Sequence, residues 1–270
     1  MFACFVWALG AVMTSYLIPN LANACRMMEL VAASGSGLTL SQLEQQLQVP
    51  RTSAFRILQT LCQQQMLYKE GKKYRVGSSL YKMGLDLLQH HHLHQLAVPV
   101  LHKLTISTGL TSHLALPRPD GALIAEVCDS PNPSHLAARP GFLADLHCSA
   151  GGKVFLAFNY FDQLATLPGL QHMPARTAQS ITDLACLRVE LQSVLGRGYA
   201  IDDQEYQANV RCIAVPIRNA QGAVVASVGV TGLTSILCKQ RLPELVAAVK
   251  QAAIEISLAC YRPALLANDL

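Results

Sequence analysis

The sequence lacks the signatures of several protein classes. Its nine cysteines include no CxxC pair, so it has neither zinc-finger spacing nor the cysteine framework of a secreted domain. It contains no GxSxG elbow, P-loop or HExxH motif. Only 14% of the residues are charged and the net charge is +4, so no polybasic field covers the whole chain. These absences predict a protein of the reducing cytoplasm that needs no metal or other cofactor.

Length and hydropathy indicate a folded chain of two modest domains. The chain has 270 residues, 51% of them hydrophobic, and its mean hydropathy is +0.28. A domain takes roughly 100–200 residues, and this hydropathy argues against disorder. There is enough apolar material for a sizeable core in each domain.

Residues 1–18 form a separate apolar segment, MFACFVWALGAVMTSYLI. A signal peptide would begin with lysine or arginine before its apolar run, and none precedes this segment. Polar residues and Pro19 interrupt it before the roughly 20 apolar residues that a membrane span needs. We therefore predict a tail or an over-extended start with no membrane anchor, and leave translation from Met1 or Met13 open.

Residues 19–77 read as a winged helix-turn-helix. A first helix is expected over Asn20–Ala33, with Leu21, Ala24, Met28, Leu30 and Val31 facing inward. Thr39 and Gln42 then have the spacing of a capping box, which starts a second helix. The residues Gln48-Val49-Pro50 allow only a sharp turn before the next helix. Such a motif places its last helix in the major groove of DNA.

Positive charge is concentrated on this motif, because Glu70 is the single acid between Arg51 and Lys82. Arg56 is the first candidate for a base or phosphate contact, since its planar fork fits guanine edges and phosphate oxygens. Thr52 and Ser53 can donate to phosphate at the helix start or cap the helix. The full set of candidate DNA contacts is Arg51, Thr52, Ser53, Arg56 and Gln59 on the helix and Lys69, Lys72, Lys73 and Arg75 around a wing turn at Glu70-Gly71. The apolar residues assigned to the core are Phe55, Ile57, Leu58 and Leu61.

The rest of the chain has the pattern of helices and strands that is typical of an α+β domain. A linker helix is expected over residues 78–95 and a second domain over residues 96–262. The run His90-His91-His92 with His94 has no cysteine or acid close by in sequence, which favours a polar helix end over a metal site. We expect a mixed sheet with helices on its faces, formed by helices at Leu96–Thr108, Ser149–Phe158, Ile181–Leu195 and Lys239–Tyr261, strands at Ser112–Leu116, Leu123–Cys128, Arg211–Arg218 and Ala223–Val230, and a proline-rich loop at Pro131–Pro140.

Five segments together carry a family resemblance, GLTLSQLEQQLQVPRTSAFRILQTL, YRVGSSLYKMGLDLL, LHCSAGGKVFLAF, RGYAIDDQEYQANVRCIAVPI and VVASVGVTG. The chain resembles IclR-type transcriptional regulators from about Pro19 to about Tyr261. The resemblance implies a winged helix-turn-helix joined to a GAF-like mixed α/β domain that binds a small metabolite, often a carboxylate. It also implies a homodimer or homotetramer on a palindromic double-stranded DNA operator.

The expected effector site combines a helix start with positions that the resemblance implies. Ala150 and Gly151 begin a helix whose backbone N–H groups can receive a carboxylate. Lys153, one turn further on, is either a surface charge or a ligand partner. At one implied position, Gly229, some carboxylate-binding members have a hydroxyl residue, so added volume and a larger acid are expected. The positions implied by the resemblance are Asp202, Cys212, Gly229 and Thr231.

Two alternatives to a ligand-controlled regulator remain open. The C-terminal domain could serve only to join chains into oligomers. The chain could also be an enzyme with Cys212 as nucleophile, His113 or His147 as base and Asp202 as the orienting group. Nothing in the sequence places these side chains together.

Overall fold

The computed structural model describes residues 17–90, 92–130 and 139–261. Most of the apolar segment 1–18, the side chains of the run 90–92 and most of the proline-rich loop lie outside the described part. The chain divides into two compact units between His90 and His91. No helix of the described residues is long and apolar enough to cross a membrane.

The N-terminal unit is a helical motif closed by a small sheet. The sheet is antiparallel with strand order β1-β3-β2. In α4, the last helix of the unit, only the backbone is described for residues 85–90. The elements are α1 (Pro19–Ala33), β1 (Leu38–Thr39), α2 (Leu40–Leu47), α3 (Arg51–Gln63), β2 (Leu67–Glu70), β3 (Lys73–Val76) and α4 (Ser78–His90).

Local sequence explains how α2 and α3 begin. The capping box is confirmed, because Thr39 Oγ1 accepts from the Gln42 N–H at 3.3 Å and Gln42 Oε1 accepts from the Thr39 N–H at 2.9 Å. Helix α2 ends at Leu47, and its C-cap Gln48 turns the chain with a φ of +53°. Pro50 then precedes α3 in an extended conformation. The sharp helix-to-helix turn is as the sequence predicts.

The first helix confirms most of the predicted inward face. Leu21 is 60% exposed and is the exception, while Ala24, Met28 and Leu30 are half-buried and pack against the core. Val31 is buried as predicted, and Met27 is buried as well. These two side chains join a core whose other members are Leu43, Val49, Ala54, Ile57, Leu58, Leu61, Leu67 and Tyr74.

The C-terminal unit is a six-stranded sheet between two pairs of helices. The strand order is β6-β5-β4-β9-β8-β7, and every described pair is antiparallel rather than mixed. The elements are α5 (His92–Thr108), β4 (Thr111–Arg118), β5 (Gly121–Cys128), β6 (Leu143–Ala144), α6 (Ala150–Phe158), α7 (Leu184–Arg197), β7 (Ala200–Asp203), β8 (Val210–Arg218), β9 (Val224–Leu233) and α8 (Leu242–Tyr261).

Strand alternation separates two cores on the two faces of the sheet. Ile213, Val215 and Ile217 of β8 face α5 and α8. Cys212 and Ala214 face the opposite side, where α6 and α7 pack. The face under α6 carries many small side chains, and a cavity forms there.

In the C-terminal unit, some boundaries and two strands escape prediction from the sequence. Helix α7 starts at Leu184 rather than Ile181, because the Asp183 carboxylate caps it by accepting from the Cys186 N–H at 2.8 Å. The predicted start of α8 at Lys239 is a short 3-10 turn. Strands β6 and β7, with two and four residues, are too short to give a clear alternating pattern.

Candidate DNA interface and effector cavity

Helix α3 presents one exposed face that carries most of the predicted DNA contacts. Arg51, Thr52, Arg56 and Gln59 are exposed on it, and Ser53 is half-buried. Thr52 and Arg56 are four residues apart and Arg56 and Gln59 three apart, which places these side chains on one side of the helix. Arg51 is also held by Glu44 of α2, at 3.0 Å between Nη1 and Oε2. The guanidinium of Arg56 has no such carboxylate partner among the described residues.

Two readings of this helix from sequence are wrong. Thr52 and Ser53 do not cap α3, because its N-cap is Pro50 and no side chain makes the capping bond. Phe55 is not a core residue, since 45% of it is exposed. It shares the exposed face with Arg51 and Arg56, where an aromatic ring can contact a thymine methyl group. The i, i+4 spacing from Arg51 is the signal that could have found it.

The wing is a hairpin whose cations differ in how free they are. Its turn lies at Gly71-Lys72, with Gly71 at φ +59°, one residue later than predicted. Lys69 and Lys72 are exposed. Lys73 Nζ donates to the Ser36 carbonyl at 3.3 Å, and Arg75 Nε lies 2.5 Å from Glu70 Oε2. Lys69 and Lys72 are therefore the cations most available to phosphate.

In the C-terminal unit, a partly open cavity lies between the sheet and the start of α6. Concave, mostly apolar spaces with a few polar groups are typical of small-molecule sites. Small side chains on β4, β5, β6 and α6 leave the space, while Phe142 and Ile124 supply apolar surface. The small residues of the wall are Ala115, Ala122, Ala144, Ala150 and Gly151.

The N-terminus of α6 forms one side of this cavity. Ser149 is the N-cap, and its Oγ accepts from the Gly152 N–H at 3.1 Å. Ala150 and Gly151 are the first two residues of the helix and are buried in the wall. The first N–H groups of a helix have no partner within it, and the helix dipole adds positive charge there. This side of the cavity suits an anion.

The opposite side carries polar groups of three strands. Asp202 is buried, and its Oδ1 accepts from the N–H groups of Glu205 and Tyr206 at 2.7 and 3.2 Å. Cys212 Sγ lies 3.2 Å from Thr231 Oγ1, across the β8–β9 pair. The structure therefore brings together five of the six predicted effector residues, Ala150, Gly151, Asp202, Cys212 and Thr231.

Gly229 is the exception, because it lies on the same sheet face but does not line the cavity. A Cβ at this position would be 2.5 Å from the Ile213 carbonyl oxygen and 2.7 Å from His113 Nε2. The His113 ring fills the space beside Gly229. The extra volume predicted from the glycine is thus taken by a cavity-lining imidazole.

His113 is the main residue of this site that the sequence analysis did not assign to ligand binding. It pairs directly with Gly229 in the β4–β9 ladder, and its Nδ1 lies 3.5 Å from Thr231 Oγ1. Burial lowers the pKa of His113 to about 4, so the ring is neutral near pH 7. Only the three-dimensional register of the strands places it in the cavity wall.

The charge balance of the cavity is unusual for an anion site. Among the described residues that line it, none is lysine or arginine. Burial raises the pKa of Asp202 to about 7 and raises that of the Cys212 thiol well above its usual value. Near neutral pH this side therefore offers neutral groups and a partly ionised carboxyl.

Lys153 is neither of the two things predicted for it. It is 1% exposed and points away from the cavity wall, where its Nζ pairs with the Glu205 carboxylate. The Ile201 carbonyl accepts from the same Nζ at 2.5 Å, and Glu190 lies at 3.4 Å. This buried pair anchors the β7–β8 turn, which follows Asp202 of β7 and carries Tyr206.

The remaining histidines bear on the enzyme and metal alternatives. Thr231 Oγ1 contacts both Cys212 and His113, so a hydroxyl lies between the thiol and the imidazole. His94 Nε2 lies 2.6 Å from Glu126 Oε2, across α5 and β5. The side chains of the run 90–92 lie outside the described residues.

Family models match both units of the chain. The model of the IclR helix-turn-helix domain matches residues 20–71, and that of the bacterial transcriptional regulator IclR C-terminal domain matches residues 85–258. The second match alone covers more than half of the chain. Both follow the order in which the motif and the cavity-bearing domain occur here.

Individual proteins agree with these matches. The chain is 30% identical to the HTH-type transcriptional regulator BhcR of Paracoccus denitrificans, over 89% of this chain and 86% of that protein. It is 28% identical to the acetate operon repressor of Salmonella typhimurium, over 90% of each chain. An IclR transcriptional regulator from Alicyclobacillus acidocaldarius superposes with a TM-score of 0.78 at 25% identity, over 91% of this chain and 100% of the other.

A further solved structure adds to the likeness in fold. It is an IclR homolog from Microbacterium hydrocarbonoxydans complexed with 4-hydroxybenzoate, with a TM-score of 0.78, 22% identity and coverage of 89% and 98%. The relatives are transcriptional regulators, which excludes the cysteine enzyme as the reading of this chain. The two units of the present chain are a DNA-binding helix-turn-helix domain and an effector-binding domain. The chain belongs to the IclR family of bacterial transcriptional regulators.

Proposed function

We propose that this regulator binds a small carboxylate in the cavity under α6 and that the bound acid changes its affinity for a palindromic DNA operator. The single observation that carries the proposal is the pairing of the α6 N-terminus with a polar strand surface across one partly open cavity. Ala150 and Gly151 offer backbone N–H groups on one side. Asp202, Cys212 and Thr231 offer hydrogen-bonding side chains on the other.

The ligand chemistry follows from these two sides. The carboxylate group sits at the helix start, where the dipole and the N–H groups favour negative charge. The rest of the molecule contacts Phe142, Ile124 and the alanines of the wall. A hydroxyl or other polar substituent reaches Thr231 or His113. Aromatic hydroxy acids such as 4-hydroxybenzoate, which a structural neighbour binds, have this combination of groups.

DNA recognition is assigned to the exposed face of α3 and the free wing cations. Arg56 and Gln59 reach base edges, with Phe55 against an apolar base surface. Arg51, Thr52, Ser53, Lys69 and Lys72 contact phosphates, while Lys73 and Arg75 support the wing through their own protein partners. A two-fold pair of such units reads a palindrome, so a homodimer or homotetramer is the working assembly.

The test is a DNA-binding titration on fragments that flank the regulator's own gene. Wild-type protein and Thr231→Val are compared in the absence and presence of 4-hydroxybenzoate, benzoate and short 2-oxo acids. The valine keeps the shape of the side chain and removes only its hydroxyl. Support would be an acid that changes DNA affinity in the wild type at a lower concentration than in Thr231→Val.

One alternative gives a different outcome in the same experiment. If the C-terminal unit only joins chains into oligomers, DNA binding is specific but no acid alters it. Thermal melts then show no stabilisation by any acid, whereas a ligand at 100 times its Kd should add about 2.7 kcal/mol. Specific binding to DNA and the response to an acid are therefore two separate readouts.

A further inference from the structure

A cluster of three metal-binding side chains lies in the segment that leads into α6. Asp145, His147 and Cys148 each present one donor atom, and these three atoms lie within 4.8 Å of one another. His147 and Cys148 are fully buried and Asp145 is half-buried. None of the three lines the effector cavity.

The hydrogen bonding of His147 is the second, independent observation. Its Nε2 lies 3.1 Å from the Pro174 carbonyl oxygen, which can only accept, so Nε2 carries the proton. Nδ1 then holds a lone pair. It is buried, and no atom of the described residues is its hydrogen-bond partner. A ring nitrogen that donates to a backbone carbonyl while the other nitrogen keeps its lone pair is the usual arrangement of a metal-bound histidine.

The surrounding turn holds the other two donors in place. The Asp145 carbonyl accepts from Ser149 Oγ at 2.6 Å and from the Ser149 N–H at 3.3 Å, so a tight turn joins Asp145 to the α6 cap. Cys148 Sγ lies 3.9 Å from Asp145 Oδ2. Arg176 pairs through its Nε with the same Oδ2, so the Asp145 carboxylate is held beside Cys148.

We propose that a carboxylate oxygen of Asp145, His147 Nδ1 and Cys148 Sγ bind a single Zn²⁺ or a similar divalent transition ion. One thiolate, one imidazole and one carboxylate form a donor set that tetrahedral Zn²⁺ accepts, with bonds of about 2.0–2.3 Å. Such bonds need donors roughly 3.3–3.8 Å apart, so the cluster contracts by about 1 Å on binding. The fourth position is left to water. The ion fastens the turn that begins α6.

The ion does not depend on the proposed effector, so the two ideas fail separately. The experiment uses the full chain, freed of metal by a chelator that is then removed, and loaded with Co²⁺. Thiolate-to-cobalt charge-transfer absorption in the near ultraviolet, with tetrahedral bands in the visible, reports a Co²⁺–Cys bond. We expect one equivalent of Co²⁺ per chain and its displacement by one equivalent of Zn²⁺.

Matched variants locate the site. Cys148→Ser should abolish the charge-transfer absorption and His147→Gln should remove stoichiometric binding. Cys186→Ser and His172→Gln, which alter an exposed cysteine and an exposed histidine, should leave both unchanged. Absence of a thiolate band in wild type, or its persistence in Cys148→Ser, overturns the proposal. Binding that disappears only when His90, His91, His92 and His94 become glutamine overturns it as well.

One readout needs no variant and remains available if a substitution prevents folding. Zn²⁺ should protect Cys148 of the wild-type chain from alkylation under partly denaturing conditions, as mapped by mass spectrometry. Cys212, which lies outside the cluster, serves as the internal reference. Equal alkylation of Cys148 with and without Zn²⁺ contradicts the proposal.

Discussion

His113 and Gly229 are directly paired across strands β4 and β9, and the imidazole of His113 occupies the space that a side chain at position 229 would need. A methyl group at position 229 would lie 2.7 Å from His113 Nε2 and 2.5 Å from the Ile213 carbonyl oxygen. The missing side chain of the glycine leaves the space that the ring occupies. The ring, in turn, forms part of the cavity wall beside Thr231.

Gly229→Ala should therefore destabilise the domain. The Ile213 oxygen belongs to the backbone of a central strand and cannot give way, so we expect a loss of about 1–3 kcal/mol in the free energy of unfolding, as for other overpacked sites. Urea denaturation measures it. Gly196→Ala is the control, because a Cβ there meets open space on helix α7. Equal stability of Gly229→Ala and wild type would contradict the close packing described here.

Lys153→Met should lower the free energy of unfolding by more than the same substitution at any surface lysine. It leaves the Glu205 carboxylate buried without its cation, and breaking a buried pair in this way typically costs about 3–5 kcal/mol. Lys103→Met is the control, since its pair with Glu255 is exposed and such pairs contribute about 0–1 kcal/mol. Chemical denaturation compares them. Adding Glu205→Gln should restore part of the loss, and no recovery would show that the pair is not its origin.

Arg56→Ala should weaken specific DNA binding without unfolding the protein. Its guanidinium is exposed on α3, and the loss of a bidentate base contact costs about 1–3 kcal/mol, or roughly ten- to a hundredfold in affinity. Fluorescence anisotropy with operator DNA measures the change, and circular dichroism checks the fold. The exposed Arg188 of α7 provides a matched control as Arg188→Ala. Wild-type affinity in Arg56→Ala would refute the assignment.

Carboxylate binding should strengthen as the pH falls. Burial raises the pKa of Asp202 to about 7, and a bound anion in the same cavity favours its protonated form further. Above pH 7 the acid must therefore bind together with a proton, so its affinity should fall by up to about tenfold per pH unit. Below pH 7 the affinity should level off until the acid itself is protonated. Calorimetric titrations at several pH values give this profile.

Asp202→Asn tests the origin of that profile. Asparagine keeps the acceptor for the Glu205 and Tyr206 N–H groups but has no proton to gain. The affinity of the variant should vary little between pH 6 and about pH 8, where His113, with a pKa near 4, stays neutral. A steep pH dependence that survives in Asp202→Asn would assign the proton to another group.

Local signals in the sequence predicted much of the fold. The Thr39–Gln42 capping box, the turn at Gln48 and the helix start at Ala150 each depend on neighbours within four residues. Such interactions can be read from spacing alone. The family resemblance, confirmed by the family models, gave the order of the two domains.

The features that escaped prediction depend on contacts between distant parts of the chain. Lys153 looked like a surface charge because its partner Glu205 lies 52 residues away. His113 enters the cavity only through the pairing of β4 with β9. Phe55 was assigned to the core on its hydrophobicity, although its helical position places it beside the exposed Arg51 and Arg56. Residue type misled there, and periodicity would have given the better answer.

The proposed control by a cavity-bound acid is tested most directly by measuring DNA affinity in a variant whose cavity is filled by a larger side chain. Ala115→Leu places a larger side chain into the cavity wall, and Ala125→Leu places the same side chain on the opposite face of the sheet. DNA affinity is measured with and without 4-hydroxybenzoate and related acids, and the stability of each variant is checked by thermal melting. We predict that an acid which changes DNA affinity in wild type and Ala125→Leu has no effect on Ala115→Leu, whose basal DNA binding is retained. An unchanged dose response in a folded Ala115→Leu would contradict the assignment of the effector site to this cavity.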